Sequence, residues 1–413
     1  MTAQPVSVVI VSRGRPAELD LCLTGVAQLD HPAFEVVVVA CPAGAAAVEA
    51  RPDRASIKLL SFDEANISAA RNLGIAQAAG EIVAFIDDDA VPEPLWLHHL
   101  CAPFADPGIA ATGGFVRGRN GISFQWRARA VTGDLREREL ALGAPGPHVP
   151  DLPPGETVKL QGTNMAHRRD LLAAMGGFDP AFRFYLDETD LDLRHAAAGH
   201  RIAINPLAEV HHGYAPSLLR SADRVPRDLT EIGASIRCFL DRHCPDAERD
   251  RAWQRLRAEQ RARLLRLMQR GPLGADDVSR LLRGLDAGWR QAEKRSPDNE
   301  QQPIGAAITP FLAYPGRPGA ERVVLSASLG QRDAARKKAK RCAAAGNIVT
   351  IYSFSRTAFY HRVRFHPGGF WEQTGGLFGR SDRSSKLLKF WRFTARLSEE
   401  ASRNAGVRGR TGA

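Results

Sequence analysis

Four short apolar runs near the start of the chain, with turns and helix-patterned stretches between them, constrain the fold more than any other feature. Residues 6–11 (VSVVIV) are β-branched and follow Pro5, the pattern of a buried strand. Ser12-Arg13-Gly14-Arg15-Pro16 is then a turn and 18–27 a helix. Residues 35–40 form a second buried strand, closed by Cys41-Pro42, and 57–60 a third. Ser68 is a candidate N-cap. Behind it Ala69, Leu73 and Ala76 recur at helical spacing, and Gly80 fits the position just past a helix end. Residues 82–86 give the fourth strand. Strands separated by helices imply a largely parallel sheet with crossover helices, and such sheets bind ligands beyond the carboxyl ends of their strands.

That rule gives weight to the next residues. The strand EIVAFI runs straight into Asp87-Asp88-Asp89. Three adjacent carboxylates repel one another and need a cation or bulk water. Hard oxygen ligands at a strand end suit Mg2+ or Mn2+, and a metal that keeps water positions can bridge to a diphosphate. A solvated acidic turn is the plain alternative. A second acidic cluster lies in FRFYLDETDLDLRHAAAGHRIA. Thr189 and Asp192 have capping-box spacing, so a helix is expected to start near Asp190 and end at Gly199. Asp187 and Glu188 then sit just before a helix N-terminus, whose partial positive charge favours ionised carboxylates. An ionised carboxylate in a cleft can act as a general base towards a hydroxyl. Helix capping alone would also explain these acids, and pairing with Arg194 suffices for Asp190 and Asp192. After a short strand (201–204) comes Val210-His211-His212-Gly213, a His pair that could supply a third metal ligand or simply lie on the surface.

In this order the pieces resemble a family 2 glycosyltransferase of the GT-A fold. The matching segments are VSVVIVSRGRP, ISAARNLGIAQAAGEIVAFIDDDAVPEPLWL, GTNMAHRRDLLAAMGGFD, and FYLDETDLDLRHAAAGHRIA followed by VHH, across roughly residues 5–215. The resemblance implies an α/β, Rossmann-like unit with a mostly parallel sheet flanked by helices. It implies inverting transfer of a sugar from a nucleotide-diphosphate donor to an acceptor hydroxyl. Asp87 and Asp89 match the DxD motif, with Asp89 on the metal and Asp87 reaching the ribose or the metal's water. Asp88 joins Asp87 and Arg71, of the ARN segment, as donor-binding residues. His211 matches the late histidine that completes the metal site. Asp187-Glu188 falls where the family has Glu-Asp, which makes Glu188 the positional candidate for the base and Asp187 the chemical one. One departure stands out: the family commonly ends its second strand in a VVDDGS-like turn that contacts the donor base, and this chain has VVVVACPAG. Asp63 or Glu64 could take that part, and the donor base stays open.

Charge divides the chain. Residues 1–219 carry 18 Lys and Arg against 26 Asp and Glu, a net of −8, whereas 220–413 carry 38 against 20, a net of +18. An acidic half suits a metal site; a basic half suits phosphates, an anionic membrane surface or nucleic acid, or is an arginine-rich solvated surface. Residues 220–300 are expected to be an arginine-rich helical region ending in the linker SPDNEQQP (296–303). Residues 301–413 are expected to be a small basic α/β unit, with strands at 323–326 and 348–354 around a helix at 333–345, and a disordered tail from 402. The leucines of 220–295 fit packing or a membrane-surface helix, and FHPGGFWEQTGGLFGRSDR an acceptor groove, a partner surface or a packed loop. No apolar run approaches the ~18 to 20 residues of a spanning helix, and the start MTAQPVSVVIV lacks signal-peptide features. A cytoplasmic protein, peripheral to the inner membrane face if its acceptor is lipid-linked, is the expectation. Surface polysaccharide or glycoconjugate synthesis is the expected setting. The alternatives are a non-catalytic sugar-nucleotide-binding scaffold and a nucleic-acid binder; the latter lacks a recognised motif. A nucleotidyltransferase would need a glycine-rich loop where SRGRP stands.

Overall fold

The computed structural model describes residues 4–143, 145–217, 219–295, 301–383 and 389–410. The main sheet uses β1 (Val6–Ser12), β2 (Phe34–Ala40), β3 (Ile57–Ser61), β4 (Ile82–Phe85), β5 (Ala90–Pro92), β6 (Ile109–Arg117) and β7 (Phe124–Trp126). Next in the chain, β8 (Arg129–Thr132), β9 (Glu137–Glu139) and β10 (Glu156–Lys159) make a small separate antiparallel sheet. The main sheet is completed by β11 (Met165–Arg168) and β12 (Arg201–His212). Its order is β3-β2-β1-β4-β11-β6-β12-β5, with β7 hydrogen-bonded to β6. β1, β2, β3, β4, β6 and β12 run the same way; β5, β7 and β11 run against them. The valines of β1 and β2 are buried on both faces, as a sheet covered by helices requires. The mixed α/β architecture expected from the sequence is thus present, and the carboxyl ends of six strands share one edge.

The flanking helices are α1 (Pro16–Val26), α2 (Pro42–Glu49), α3 (Ile67–Gln77), α4 (Trp96–Cys101), α5 (Arg169–Ala174) and α6 (Asp187–Ala197). Two helix ends differ from the sequence expectation. Asn66, not Ser68, caps α3, its side-chain oxygen accepting from Ala69 N at 3.1 Å, while Ser68 Oγ donates to Phe182 O. Gly80 lies beyond the α3 end and serves a close approach: a Cβ there would stand 2.7 Å from Ser7 N.

Beyond β12 come α7 (Thr230–His243), α8 (Asp246–Gln269) and α9 (Ala275–Gln291). Leu264, Leu281 and Leu285 are buried among these helices, so their apolar faces are spent on packing. A four-stranded sheet follows, β13 (Arg322–Ala327), β14 (Ile348–Ser355), β15 (Arg362–His366) and β16 (Phe370–Gly376), in the order β13-β14-β16-β15. α10 (Arg332–Ala344) packs on it, and α11 (Phe393–Arg408) closes the described chain. The expected linker falls partly outside the described residues, at 296–300. Its continuation is strapped to the main sheet instead: Tyr314 N donates to Phe34 O at 2.7 Å and Leu312 N to Glu35 Oε2 at 2.8 Å. The expected disordered tail is also corrected. Residues 402–408 complete α11, because the buried Arg408 guanidinium makes a two-pronged ion pair with Glu93 at 2.7 and 2.8 Å. Residues 411–413 lie outside the described residues. No helix among the described residues is long and apolar enough to cross a membrane.

Candidate active site

The three aspartates leave β4 at the shared carboxyl edge and meet different fates. Asp88 is fully buried and held by Arg15, at 2.5 Å from Nη2 and 3.1 Å from Nε. Burial pushes its carboxyl up to about 7 against the pull of Arg15. Asp89 accepts from Ala215 N at 2.7 Å, faces His212 Nε2 at 3.1 Å and lies 3.2 Å from Arg15 Nη1. Burial opposes its charge, but the His212 contact, Arg15 and the Ala215 N–H together hold it well below the usual carboxylate range. Asp87 is half-buried, and its carboxylate accepts no hydrogen bond among the described residues. Its nearest cationic or imidazole nitrogens are Arg71 Nη2 at 3.7 Å and His212 Nε2 at 4.0 Å.

The histidine at this site is His212, not His211. Successive strand residues point to opposite faces, so only one member of a pair on β12 can reach the acids. His212 turns to Asp89, and its Nδ1 meets Gln125 Oε1 of β7 at 2.9 Å. With a cation bound, Nδ1–H donating to that amide oxygen would leave the Nε2 lone pair for the metal. His211 turns the other way, its Nε2 2.8 Å from Glu93 Oε1 and its ring 4.7 Å from that of Trp371.

Two sets of side chains therefore have ligand geometry. Asp87, Asp89 and His212 place one ligand atom each within 4.8 Å of the others, and so do Glu93, Glu209 and His211. Two carboxylates and an imidazole suit Mn2+ or Mg2+, and the unbonded Asp87 carboxylate makes the first set fit a cation. In the second set Arg408 grips Glu93, and Arg117 Nη2 bonds Glu209 at 2.9 Å beside a second short contact.

The second acidic cluster opens α6. The helix begins at Asp187, earlier than the capping-box spacing indicates, because Asp192 accepts from Leu160 N at 2.8 Å instead of capping. Tyr185 and Leu186 enter it at φ 76° and 69°, a left-handed backbone that non-glycine residues adopt at some cost. Asp187 is buried against Arg71, whose Nη2 also donates to Gly162 O at 3.1 Å. Arg71 thus lies between Asp187 of α6 and Asp87, 3.7 Å from the latter. Asp190 is a structural acid, bonded to Arg194 at 2.9 Å, Arg242 at 2.6 Å and His243 at 2.9 Å. Glu188 forms no ion pair among the described residues, and its carboxyl meets that of Asp187. Burial, and then the charge of Asp187, push its carboxyl up to about 8, with Lys159 and Arg71 pulling the other way. An acid of that kind has the affinity for a proton that a general base needs.

Four contributors were not singled out in the sequence: Arg15, Gln125, Lys159 and Arg220. Arg15 sits in the turn after β1, where the strand-end rule points. Arg220 is half-buried, forms no ion pair among the described residues and feels the charges of Asp89 and Asp87; burial lowers its pKa. A cation left unpaired beside an acid cluster fits an anionic ligand. Near the missing base-reading turn, Cys41 Sγ accepts from Gly14 N at 3.2 Å and Asp63 pairs with Arg13 at 3.2 Å.

Residues 3–228 match the family model described as glycosyltransferase-like family 2. The pre-mycofactocin glycosyltransferase of Mycobacterium tuberculosis is 30% identical over 155 residues, covering 37% of this chain and 31% of that protein. The O-antigen biosynthesis protein RfbC of Myxococcus xanthus is 26% identical over 243 residues, covering 54% of this chain and 18% of that protein. The chain thus spans under a third of the length of these two relatives. Among solved structures, the mannosyltransferase PcManGT of Pyrobaculum calidifontis, in complex with GDP-Man and Mn2+, is similar at TM-score 0.42 and 18% identity. That match covers 71% of this chain and 89% of that one.

Proposed function

The chain belongs to the glycosyltransferase-like family 2, and we propose that it transfers a sugar, with inversion, from a nucleotide-diphosphate donor to an acceptor hydroxyl. Residues 1–219 form the catalytic unit in this reading, with the helical region 220–300 and the unit 301–413 packed on it. The observation that carries the reading is that Arg71 bridges two acidic clusters at the carboxyl edge of the sheet: it lies 3.7 Å from Asp87, which with Asp89 and His212 makes one set, and it pairs with Asp187, the neighbour of Glu188. Asp87, Asp89 and His212 would hold Mg2+ or Mn2+, which supplies positive charge against the diphosphate. Arg220 adds a second cation facing the same anion. Arg15 neutralises Asp88 and keeps the acidic turn folded. Arg71 fixes Asp187, which leaves Glu188 as the group to take the hydroxyl proton while the acceptor oxygen attacks the anomeric carbon opposite the departing diphosphate. Asp187 orients Arg71 and raises the proton affinity of its neighbour.

The acceptor in this reading is a sugar or lipid-linked hydroxyl, and the setting is surface polysaccharide or glycoconjugate synthesis; the resemblance to RfbC supports that setting. Peripheral attachment to the inner face of a membrane would give the +18 half a purpose. The test is transfer by Glu188→Gln beside Asp187→Asn, each with donor binding measured separately. Glu188→Gln is expected to keep donor binding and lose transfer by ~10²-fold or more. Full activity in Glu188→Gln with loss in Asp187→Asn would move the base to Asp187; activity in both would remove the general-base assignment.

A further inference from the structure

β7 is a three-residue strand with two faces in use. Gln125 sends its amide to His212 Nδ1, as described. Phe124 and Trp126, on either side of it, line a cavity of about 720 Å³. Leu140, Leu142, Arg127 and Arg383 are also in its lining. The Trp126 ring centre is 5.7 Å from Lys159 Nζ, and the charge of Lys159 is felt by Glu188. Gln125 thus touches His212 while its strand neighbours Phe124 and Trp126 line an open space.

The lining has a definite chemistry. Aromatic faces carry negative charge density that meets the C–H bonds of a flat-lying ring. Trp126 is half-buried and already takes Arg129 on its ring, 4.7 Å from the centroid; Phe124 takes Arg117 at 4.2 Å and Arg127 at 5.1 Å. Of the acids in the lining, Glu209 is bonded to Arg117 and Glu139 lies 3.8 Å from Arg129. Arg127 and Arg383 are exposed and form no ion pair among the described residues, although Arg383 Nε donates to Ser123 Oγ at 2.7 Å. Two guanidinium groups without carboxylate partners, beside aromatic platforms, match a sugar ring bearing a carboxylate or phosphate. A purely lipidic occupant would leave both cations unanswered, and a neutral sugar would gain nothing from them.

We propose that this cavity binds a saccharide carrying an anionic group and that this saccharide is the acceptor of the transfer reaction, a role that rests on the transferase reading above. The shared strand makes the cavity and the His212 site neighbours across a single backbone.

The test uses the full chain and four probes, glucose, glucose 6-phosphate, glucuronic acid and inorganic phosphate, observed by saturation-transfer NMR. Wild type, Trp126→Ala and the double variant Arg127→Gln/Arg383→Gln are compared. Mn2+-dependent thermal shifts with nucleotide sugars are recorded on all three to show that each is folded and keeps its donor site. The expected result is binding of glucose 6-phosphate and glucuronic acid to the wild type, with ring protons saturated and glucose roughly tenfold weaker. Trp126→Ala should lose the ring signal and the double variant should bring the anionic sugars down to the level of glucose. Equal binding of glucose and glucose 6-phosphate would overturn the anionic class. Undiminished binding in Trp126→Ala would overturn the cavity as the site. Inorganic phosphate alone binding as well as the anionic sugars would overturn the saccharide. Saccharide binding with no nucleotide shift in wild type would uphold the cavity as a saccharide site and overturn the transferase reading on which its role as acceptor rests.

Discussion

Two clusters lie on opposite faces of β12, each built from two carboxylates and an imidazole and separated by one backbone. Asp87, Asp89 and His212 keep a half-exposed carboxylate without a hydrogen bond. Glu93, Glu209 and His211 are each buried, and their carboxylates are taken by Arg408 and Arg117. Ligand atoms at metal-like spacing are therefore not enough to make a cation site. Arginines lie near both sets, Arg15 at 3.2 Å from Asp89 included; what separates the two is that Asp87 keeps a carboxylate without a hydrogen bond, whereas both glutamates of the second set are gripped by arginines. The arginine that closes the second cluster comes from the far end of the chain, so α11 and the sheet it packs on act as a cover for the outer face of the His211–His212 strand.

Breaking each cluster should give different phenotypes. The largest effect is expected for Asp89→Ala, which should abolish Mn2+-dependent nucleotide-sugar binding, measured by thermal shift, and also lower the apo melting temperature, because Ala215 N, His212 and Arg15 lose the carboxylate they share. On the other face, Arg408→Met leaves Glu93 buried without its cation. It should cost about 3–5 kcal/mol of stability in denaturant titration, and the folded variant should keep Mn2+-dependent donor binding. A smaller effect sharpens the role of Glu188. With its carboxyl raised to about 8, the base is more fully ionised as pH rises, so kcat/KM should climb through about pH 8 and level off above it. An ordinary carboxylate base would instead level off below pH 6. The smallest effect concerns a buried pair behind the sheet. His167 Nδ1 and His195 Nε2 are 3.2 Å apart, and burial, then the charge of Arg71, hold His167 down to about 3. The unfolded chain takes up that proton near pH 6.5 and the fold does not, so stability is complete at neutral pH and lost as pH falls below 6.5. Between pH 7 and 5 the loss should be about 2 kcal/mol from His167, read as a falling melting temperature.

Much of the first half was legible because its physics is local. Valine runs between turns specify buried strands, and acids placed directly after a strand specify the functional edge. What escaped depends on contacts that no local pattern carries. The choice between His211 and His212 is set by which side of β12 the aspartates after β4 and Gln125 lie on; period two says that the pair must split, but not which member faces the acids. The start of α6 at Asp187 follows from Asp192 bonding to Leu160 N on a distant strand. The order of residues 402–408 follows from an ion pair with Glu93 across 315 positions. Arg15, by contrast, lay in plain view at the end of β1, and the strand-end rule applied to that turn as well as to the aspartates would have found it.

The measurement that bears most directly on the split between the two clusters is a Mn2+-dependent thermal shift with UDP, GDP, dTDP and CDP sugars. It would be made on wild type, His212→Ala and His211→Ala side by side. The expected result is a shift for one nucleotide in wild type, kept in His211→Ala and lost or sharply weakened in His212→Ala. A shift lost in His211→Ala and kept in His212→Ala, with both variants folded, would contradict it.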